Sequence, residues 1–230
     1  MPFFEPLFRD RRDAGRQLAA ALAAYRHDRP VVLALPRGGV PVGFEVAKAL
    51  TAPLDLLLVR KIGAPGHEEL ALGAIVDGQD PQLVLNEDVV RGVAPRPGYI
   101  EAEKARQLAE IERRRQNYLG DRPPLSAKGR VAIVVDDGIA TGATVKAGLR
   151  GLARHDPVRL VLAVPVAPAE SLAELRGECD DVVCLATPDP FYAVGPHYHD
   201  FLQTEDAEVI RLLEEARQWV GAASSDTPSG

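Results

Sequence analysis

Two adjacent carboxylates and a turn rich in glycine and threonine lie side by side in Asp136-Asp137-Gly138-Ile139-Ala140-Thr141-Gly142-Ala143-Thr144, directly after the apolar run Val131-Ala132-Ile133-Val134-Val135. Neighbouring carboxylates at the end of a buried strand repel each other and lose hydration, so they require a cationic or hydroxylic partner. Successive backbone N–H groups in a glycine-containing turn that feeds a helix N-terminus form an anion cradle, to which Thr141 and Thr144 add hydroxyl donors. A strand-end turn with a helix cap would account for Thr141 but not for both aspartates. A sugar phosphate would satisfy both halves. The turn is not a Walker loop, because no Gly-Lys-Ser/Thr ending occurs and Ala143 follows Gly142. Nor is it a Gly-x-Gly-x-x-Gly dinucleotide turn.

Three further segments could take part. In Leu35-Pro36-Arg37-Gly38-Gly39 a glycine pair after an apolar run lets a ligand approach the backbone closely, beside a cation. The plainer reading is a strand-to-helix turn with an exposed arginine. Arg60 and Lys61 open the stretch Arg60-Lys61-Ile62-Gly63-Ala64-Pro65-Gly66-His67-Glu68-Glu69, where paired cations suit a highly anionic substrate and glycines suit a hinged lid. Surface loops often have this composition, and His67, Glu68 and Glu69 read better as solvated than as acid/base groups. The fourth segment, Pro190 to Phe201, gathers Phe191, Tyr192, His197, Tyr198, His199 and Phe201. His197 and His199 would share one side of an extended chain. With no third ligand in view, a metal site there is not expected, and aromatics at this density commonly pack a core.

These residues need a scaffold that brings strand ends together. Asp10 to Tyr25 has a helical apolar stripe of Ala14, Leu18, Ala21, Leu22 and Tyr25. Val31–Leu35 reads as a strand, 42–50 as a helix, and 54–59 as a second strand. A loop is expected over 62–69, then a strand over 71–76, with a turn at Asp77-Gly78 that could begin a hairpin to 82–85. Glu101 to Tyr118 is a long charged helix whose simplest account is a solvated face with local ion pairs. Strand, helix, strand, helix and strand follow over 131–135, 142–154, 158–165, 169–176 and 182–185. This alternation predicts an α/β fold with a mainly parallel twisted sheet flanked by helices. In such sheets ligands collect at the carboxyl ends of the strands.

The chain has 230 residues, 46% of them hydrophobic, which is enough for one full core. A formal charge of −6 argues against general nucleic-acid binding but leaves room for a phosphate-bearing small molecule. Cys179 and Cys184 suit a reducing compartment and inert packing. The N-terminus lacks a signal-peptide pattern, and the apolar runs fall short of the ~20 residues of a membrane span, so a cytoplasmic protein is expected. From Gly221 the tail is rich in Ala, Ser, Gly and Pro and is expected to be disordered.

The acidic pair, short spacer and Thr-Gly-x-Thr ending resemble the PRPP (5-phosphoribosyl 1-diphosphate) signature of type I phosphoribosyltransferases. The resemblance extends over roughly residues 10 to 205, and it is sharp in this segment. It implies the type I fold as a single domain over residues 1–220, with a small hood from parts of 1–30 and 186–205. It also implies that Asp136 and Asp137 engage the ribose hydroxyls, directly or through metal-bound water, with Mg2+ as cofactor. Ala140, Thr141, Gly142, Ala143 and Thr144 would hold the 5′-phosphate. Arg37, Gly38 and Gly39 look like the pyrophosphate loop, in which the peptide between the basic residue and Gly is often cis. Arg60 and Lys61 would stand at the base of the flexible catalytic loop, and together with the acidic pair they form the candidate catalytic set. Phe191, with Tyr192 beside it, would contact the base, by likeness to the 6-oxopurine enzymes.

One departure narrows the chemistry. The 6-oxopurine enzymes carry an acidic residue immediately before the Thr-Gly, and here that position is Ala140. The long helix and N-terminal extension resemble a bacterial subgroup without an obvious nucleobase assignment. The first expectation is therefore a transferase that uses PRPP and Mg2+ and a small-molecule acceptor, nucleobase-like and nitrogenous, with release of pyrophosphate. A PRPP- or nucleotide-binding regulator that kept the pocket is the second, and a hydrolase acting in the same pocket is the third. Many relatives are dimers, so a homodimer is in view. The sequence itself fixes neither the oligomer nor the acceptor.

Overall fold

The computed structural model describes residues 5–224. The chain runs through α1 (Arg11–Ala21), a 3-10 turn (Ala23–Asp28), β1 (Val31–Ala34), α2 (Gly39–Leu50) and β2 (Leu54–Leu56). Next come β3 (Val59–Ala64), β4 (His67–Val76), β5 (Gln82–Leu85), α3 (Glu87–Val93) and α4 (Tyr99–Leu119). The second half is β6 (Val131–Val135), α5 (Ala143–Ala153), β7 (Arg159–Val166), α6 (Ala169–Leu175), β8 (Asp181–Ala186) and α7 (Asp206–Ser224).

Among the described residues the centre is a five-stranded sheet in the order β2-β1-β6-β7-β8, with every pair parallel. Parallel strands covered on both faces read as continuous apolar runs. β1 and β6 are accordingly buried at every position. One layer of core gathers Phe44, Val46, Leu50, Ile133 and Val135 with Val209, Leu212 and Leu213 of α7. The other joins Leu33, Val134 and Leu162 to Val145, Leu149 and Leu152 of α5. The α/β fold with a mainly parallel sheet is thus as the alternation predicts.

The structure corrects the reading of 54–69. The expected second strand divides: its first part pairs with β1, and its end becomes β3 of a separate antiparallel sheet, β3-β4-β5. The expected loop over 62–69 is a hairpin of β3 and β4, turning at Pro65-Gly66, with register shifts on both sides of Gly63. Those shifts absorb the irregularity that Gly63 and Pro65 signal. The hairpin from Asp77-Gly78 to 82–85 is present as β4 and β5. α1 ends at Ala21 and passes into the 3-10 turn, short of the expected helix end at Tyr25.

α4 is less solvated than its composition implies. Arg106 pairs locally with Glu103, and Arg113 and Arg114 with Glu110, whose carboxyl these last two bonds pull down to about 2. Its other face buries Gln107, Ile111, Arg115, Tyr118 and Leu119. Arg115 donates to Asp77 Oδ2 at 2.6 Å and to Asp55 at 3.3 Å, a buried triad that ties α4 to β2 and to the end of β4. α7 continues to Ser224, across the first residues of the tail expected to be disordered, and residues 225–230 lie outside the described residues.

Candidate functional site

The site forms where β1 and β6, neighbours in the sheet, end side by side. Ala34 pairs with Val135, and Leu35 N donates to the Val135 carbonyl at 2.9 Å. The chain leaving β1 therefore passes over the chain leaving β6. A Cβ added to Gly38 would lie 2.0 Å from Asp137 Oδ2, and one added to Gly39 would lie 2.7 Å from the Val135 carbonyl. The glycine pair is needed for this approach, since any side chain would displace the acidic residues. The cis peptide of this loop is between Pro36 and Arg37, not between Arg37 and Gly38.

Asp136 Oδ1 accepts a hydrogen bond from Asp137 N at 2.8 Å, which turns the two carboxylates into a fixed pair. Burial and the neighbouring charge of Asp137 push the Asp136 carboxyl well above its ordinary range. Burial also raises Asp137, against the opposing pull of the Arg11 guanidinium. Arg11 Nε donates to Asp137 Oδ2 at 2.7 Å, and Nη1 to the Leu202 carbonyl at 2.6 Å. The Tyr198 hydroxyl donates to the Asp137 carbonyl, and burial raises that phenol above its usual range.

The turn after the acidic pair returns to the sheet through Ile139 N, bonded to the Val166 carbonyl at 3.0 Å. Ala140 accepts at its carbonyl from Ser171 Oγ at 2.7 Å, and Thr141, Ala143 and Thr144 are exposed. Gly142 occupies the N-cap of α5 at φ 74°, a left-handed conformation that favours glycine, and no side chain caps the helix. The first-turn N–H groups of α5 are thus directed outward beside two threonine hydroxyls, an arrangement that attracts anions.

Arg37 belongs to the loop, but its Nη1 lies 3.5 Å from Asp206 Oδ1 at the start of α7. Tyr118 of α4 also donates to that oxygen, at 2.7 Å. Arg60 and Lys61 diverge. Arg60 Nε bonds Gln107 Oε1 of α4 at 3.0 Å, whereas Lys61 Nζ pairs with exposed Glu69 across the hairpin at 3.1 Å. Lys61 also lines a cavity of about 420 Å³ that Ala143 and Thr144 border.

The segment over 190–201 packs against the N-terminal segment. Leu7 N and Phe8 N donate to the His197 carbonyl, and His199 N donates to the Phe8 carbonyl. Phe191 stacks on His197 at 5.1 Å between centroids, while Tyr192 is 83% exposed. His197 and His199 do not share one side of an extended strand: residues 195–197 form a 3-10 turn, with His197 buried and His199 exposed. Val194 closes over the turn, since a Cβ on Gly138 would lie 2.5 Å from its Cγ1.

The structure therefore brings together Gly38, Gly39, Asp136, Asp137 and the N-terminus of α5, and adds Arg11, which sequence reasoning did not identify. Nothing local to Arg11 could have signalled its role, because its partner is 126 residues away. The donor set fits a divalent cation in part: two hard carboxylates beside one guanidinium. Among the described residues no three His, Cys, Asp or Glu side chains converge, so substrate oxygens and water would have to complete the coordination.

Comparison with known proteins gives a consistent picture. The family described as phosphoribosyl transferase domain matches residues 10–201. Two Mycobacterium tuberculosis proteins, Rv0571c of strain H37Rv and MT0597 of strain CDC 1551, are provisionally named phosphoribosyl transferases. Each is 51% identical to this chain over 212 residues, which is 92% of this chain and 47% of theirs. The chain thus spans about half the length of the curated relatives it matches. The crystal structure of TT1426 from Thermus thermophilus is similar at 46% identity and a TM-score of 0.80, covering 90% of this chain and 98% of that one.

Proposed function

The chain belongs to the phosphoribosyl transferase domain family, and from that premise we propose that it transfers a phosphoribosyl group from PRPP to a nitrogenous, nucleobase-like acceptor with release of pyrophosphate. The observation that carries this reading is the juxtaposition of a paired carboxylate, a glycine loop folded onto it, and an uncapped helix N-terminus one short turn away. The spacing suits a ligand with hydroxyls in its middle and phosphates at both ends.

In this reading the α5 N–H groups and the hydroxyls of Thr141 and Thr144 hold the 5′-phosphate, with Ala140, Gly142 and Ala143 forming the rest of the turn. Asp136 and Asp137 hold the ribose hydroxyls. The Gly38-Gly39 backbone receives the diphosphate, and Arg37 turns to it from Asp206. Arg60 and Lys61 lie on the hairpin, where Lys61 can exchange exposed Glu69 for a phosphate oxygen. Asp136 and Asp137 would also hold Mg2+, directly or through water. Held there, that ion would offset the negative charge of the departing diphosphate.

The bond from ribose C1 to the diphosphate oxygen breaks with its electron pair leaving on pyrophosphate, the acceptor nitrogen's lone pair forms the new bond to C1, and a proton carried by that nitrogen is released to water or to the departing pyrophosphate. Positive charge that develops on the ribose ring lies next to the two carboxylates, so fixed electrostatics and positioning supply the catalysis. Alanine at position 140 supplies no acid or base to the acceptor. Residues 1–220 read as one catalytic domain. In this reading a hood from parts of 1–30 and 186–205 covers the acceptor, with Phe191, and Tyr192 beside it, as the base contacts. The partners are small molecules, and among the described residues no helix is long and apolar enough to cross a membrane.

The experiment is a pyrophosphate-release assay with PRPP and Mg2+ against purines, pyrimidines and amines. Acceptor-dependent release supports the transferase, release without acceptor supports a hydrolase instead, and no release from bound PRPP supports a regulator.

A further inference from the structure

We propose that the cavity between α5 and the β3-β4-β5 sheet is a second ligand site, which takes a planar aromatic ring carrying a phosphate and whose occupation weakens PRPP binding. The coupling rests on the transferase reading, because the cavity meets the donor site at the 5′-phosphate turn.

The shape follows from how α5 packs. Its C-terminal end is drawn in tightly: a Cβ added to Gly151 would lie 2.5 Å from Val76 Cβ of β4, and one added to Gly148 would lie 3.0 Å from Leu57 Cδ2. Arg154 Nη1 donates to the Leu83 carbonyl of β5 at 2.7 Å and pins that end. Toward the helix N-terminus the facing residues are small, Ala143 and Ala147 on α5 and Ala71, Gly73 and Ala74 on β4, and they leave about 420 Å³ between helix and sheet. That volume is in the range of small-molecule sites. From Thr144 to Arg150 the cavity follows α5 for about 9 Å toward the helix C-terminus.

The lining divides into two kinds of surface. Val59, Ala71, Ala74 and Val84 give an apolar floor, and Ala147 faces it from the helix. A gap between two such walls accepts a planar ring, and Asn86 and Asp88, where β5 passes into α3, offer polar groups to its edge. Among the described residues the lining carries three cations, Lys61, Lys146 and Arg150, against the single acid Asp88, so the ring's charged substituent is an anion. Arg150 is committed to Glu178 through two bonds, at 2.6 and 2.9 Å. The lysines have looser partners. Lys146 Nζ lies 3.3 Å from Glu174, whose side chain is 62% exposed, and Lys61 pairs with fully exposed Glu69. Exposed pairs of this kind are weak, so a phosphate can displace either carboxylate. Thr144 adds a hydroxyl in the first turn of α5, where the helix dipole also favours an anion.

Thr144 and Lys61 are the residues that the cavity shares with the donor site of the transferase reading. A second anion beside them repels the donor's 5′-phosphate and diverts Lys61, so each ligand lowers the affinity of the other.

The test is calorimetric titration of the full chain with adenosine 3′-monophosphate, whose phosphate position sets it apart from a product of phosphoribosyl transfer. Adenosine and inorganic phosphate are the controls. The expected result is saturable binding about tenfold or more tighter than either control, and a PRPP Kd raised about fivefold or more when the monophosphate is saturating. Ala147→Phe fills the gap and Lys146→Gln removes a cation. Each should weaken the monophosphate about fivefold or more and leave PRPP affinity within about twofold. Should Ala147→Phe fail to fold, Lys146→Gln decides alone. Absence of saturable binding overturns the inference, as does binding that the variants leave intact or that leaves PRPP affinity unchanged. PRPP affinity lost together with the monophosphate in the variants makes the cavity part of the donor site and overturns it too. Failure of the unaltered chain to bind PRPP overturns the transferase reading and the coupling, and the cavity is then decided by the variants.

Discussion

Gly38 lies so close to Asp137 that a β-carbon at position 38 would sit 2.0 Å from the carboxylate oxygen Oδ2. The backbone of Gly38 is right-handed helical, at φ −59° and ψ −36°, so the constraint is steric and not conformational. One loop and one acidic pair thereby act as a single unit.

Gly38→Ala should consequently damage the site more than the fold. The added methyl must push Asp137 away from Arg11, and overpacking of this kind costs about 1–3 kcal/mol. Urea unfolding should report that loss, and calorimetric titration with PRPP should report an affinity down by roughly tenfold or more.

Asp136→Asn should stabilise the unliganded protein, because the buried carboxylate is held beside a like charge. The Asp136 carboxyl is raised on folding, so its contribution to stability is fully present below the ordinary carboxylate range and is lost as pH rises through the raised value. The variant's advantage should therefore be near zero at about pH 4 and grow toward about pH 8, reaching about 1 kcal/mol. Thermal melts at both pH values check it; a larger gain at the acidic end would contradict the burial argument.

Asp206→Asn should release Arg37 toward ligand. The pair is 3.5 Å apart and partly exposed, so its loss costs the fold little. If Arg37 serves the diphosphate, pyrophosphate should bind about 1.4- to fivefold more tightly in the variant, since a pair of this kind is worth about 0.2–1 kcal/mol. Unchanged or weaker binding would place Arg37 outside the diphosphate site.

Arg115→Met should be among the most disruptive substitutions on α4. It leaves Asp55 and Asp77 buried without their shared cation, at a cost of about 3–5 kcal/mol. Arg113→Met, two residues away on the opposite, exposed side of α4 in a pair with Glu110, should leave the denaturant midpoint essentially unchanged. Denaturant midpoints for the two variants separate the roles of neighbouring arginines.

That contrast shows what could be read from the sequence. The β6–turn–α5 unit was legible because all of its information is local: an apolar run, two acids and a glycine in one register. The parallel sheet followed from the alternation of such runs. The β3–β4 hairpin was not legible, since Gly63, Pro65 and Gly66 carry loop signals, and the pairing that overrides them is with residues across the hairpin. Arg115 is one of three consecutive arginines in the sequence, and only tertiary packing separates it from its exposed neighbours. Arg11 gave no signal at all, because its meaning lies in Asp137, Leu202 and Phe201. Local chemistry was visible, and chemistry assembled from distant segments was not.

Asp136, Asp137 and the α5 N-terminus are proposed to form one ribose-phosphate site. Its most direct test is calorimetric titration of PRPP with Mg2+ into the unaltered chain and into the double variant Asp136→Asn, Asp137→Asn. Saturable binding by the former, weakened roughly a hundredfold or more in the latter while the fold persists by circular dichroism, is the predicted result. Equal affinity in both proteins would contradict it.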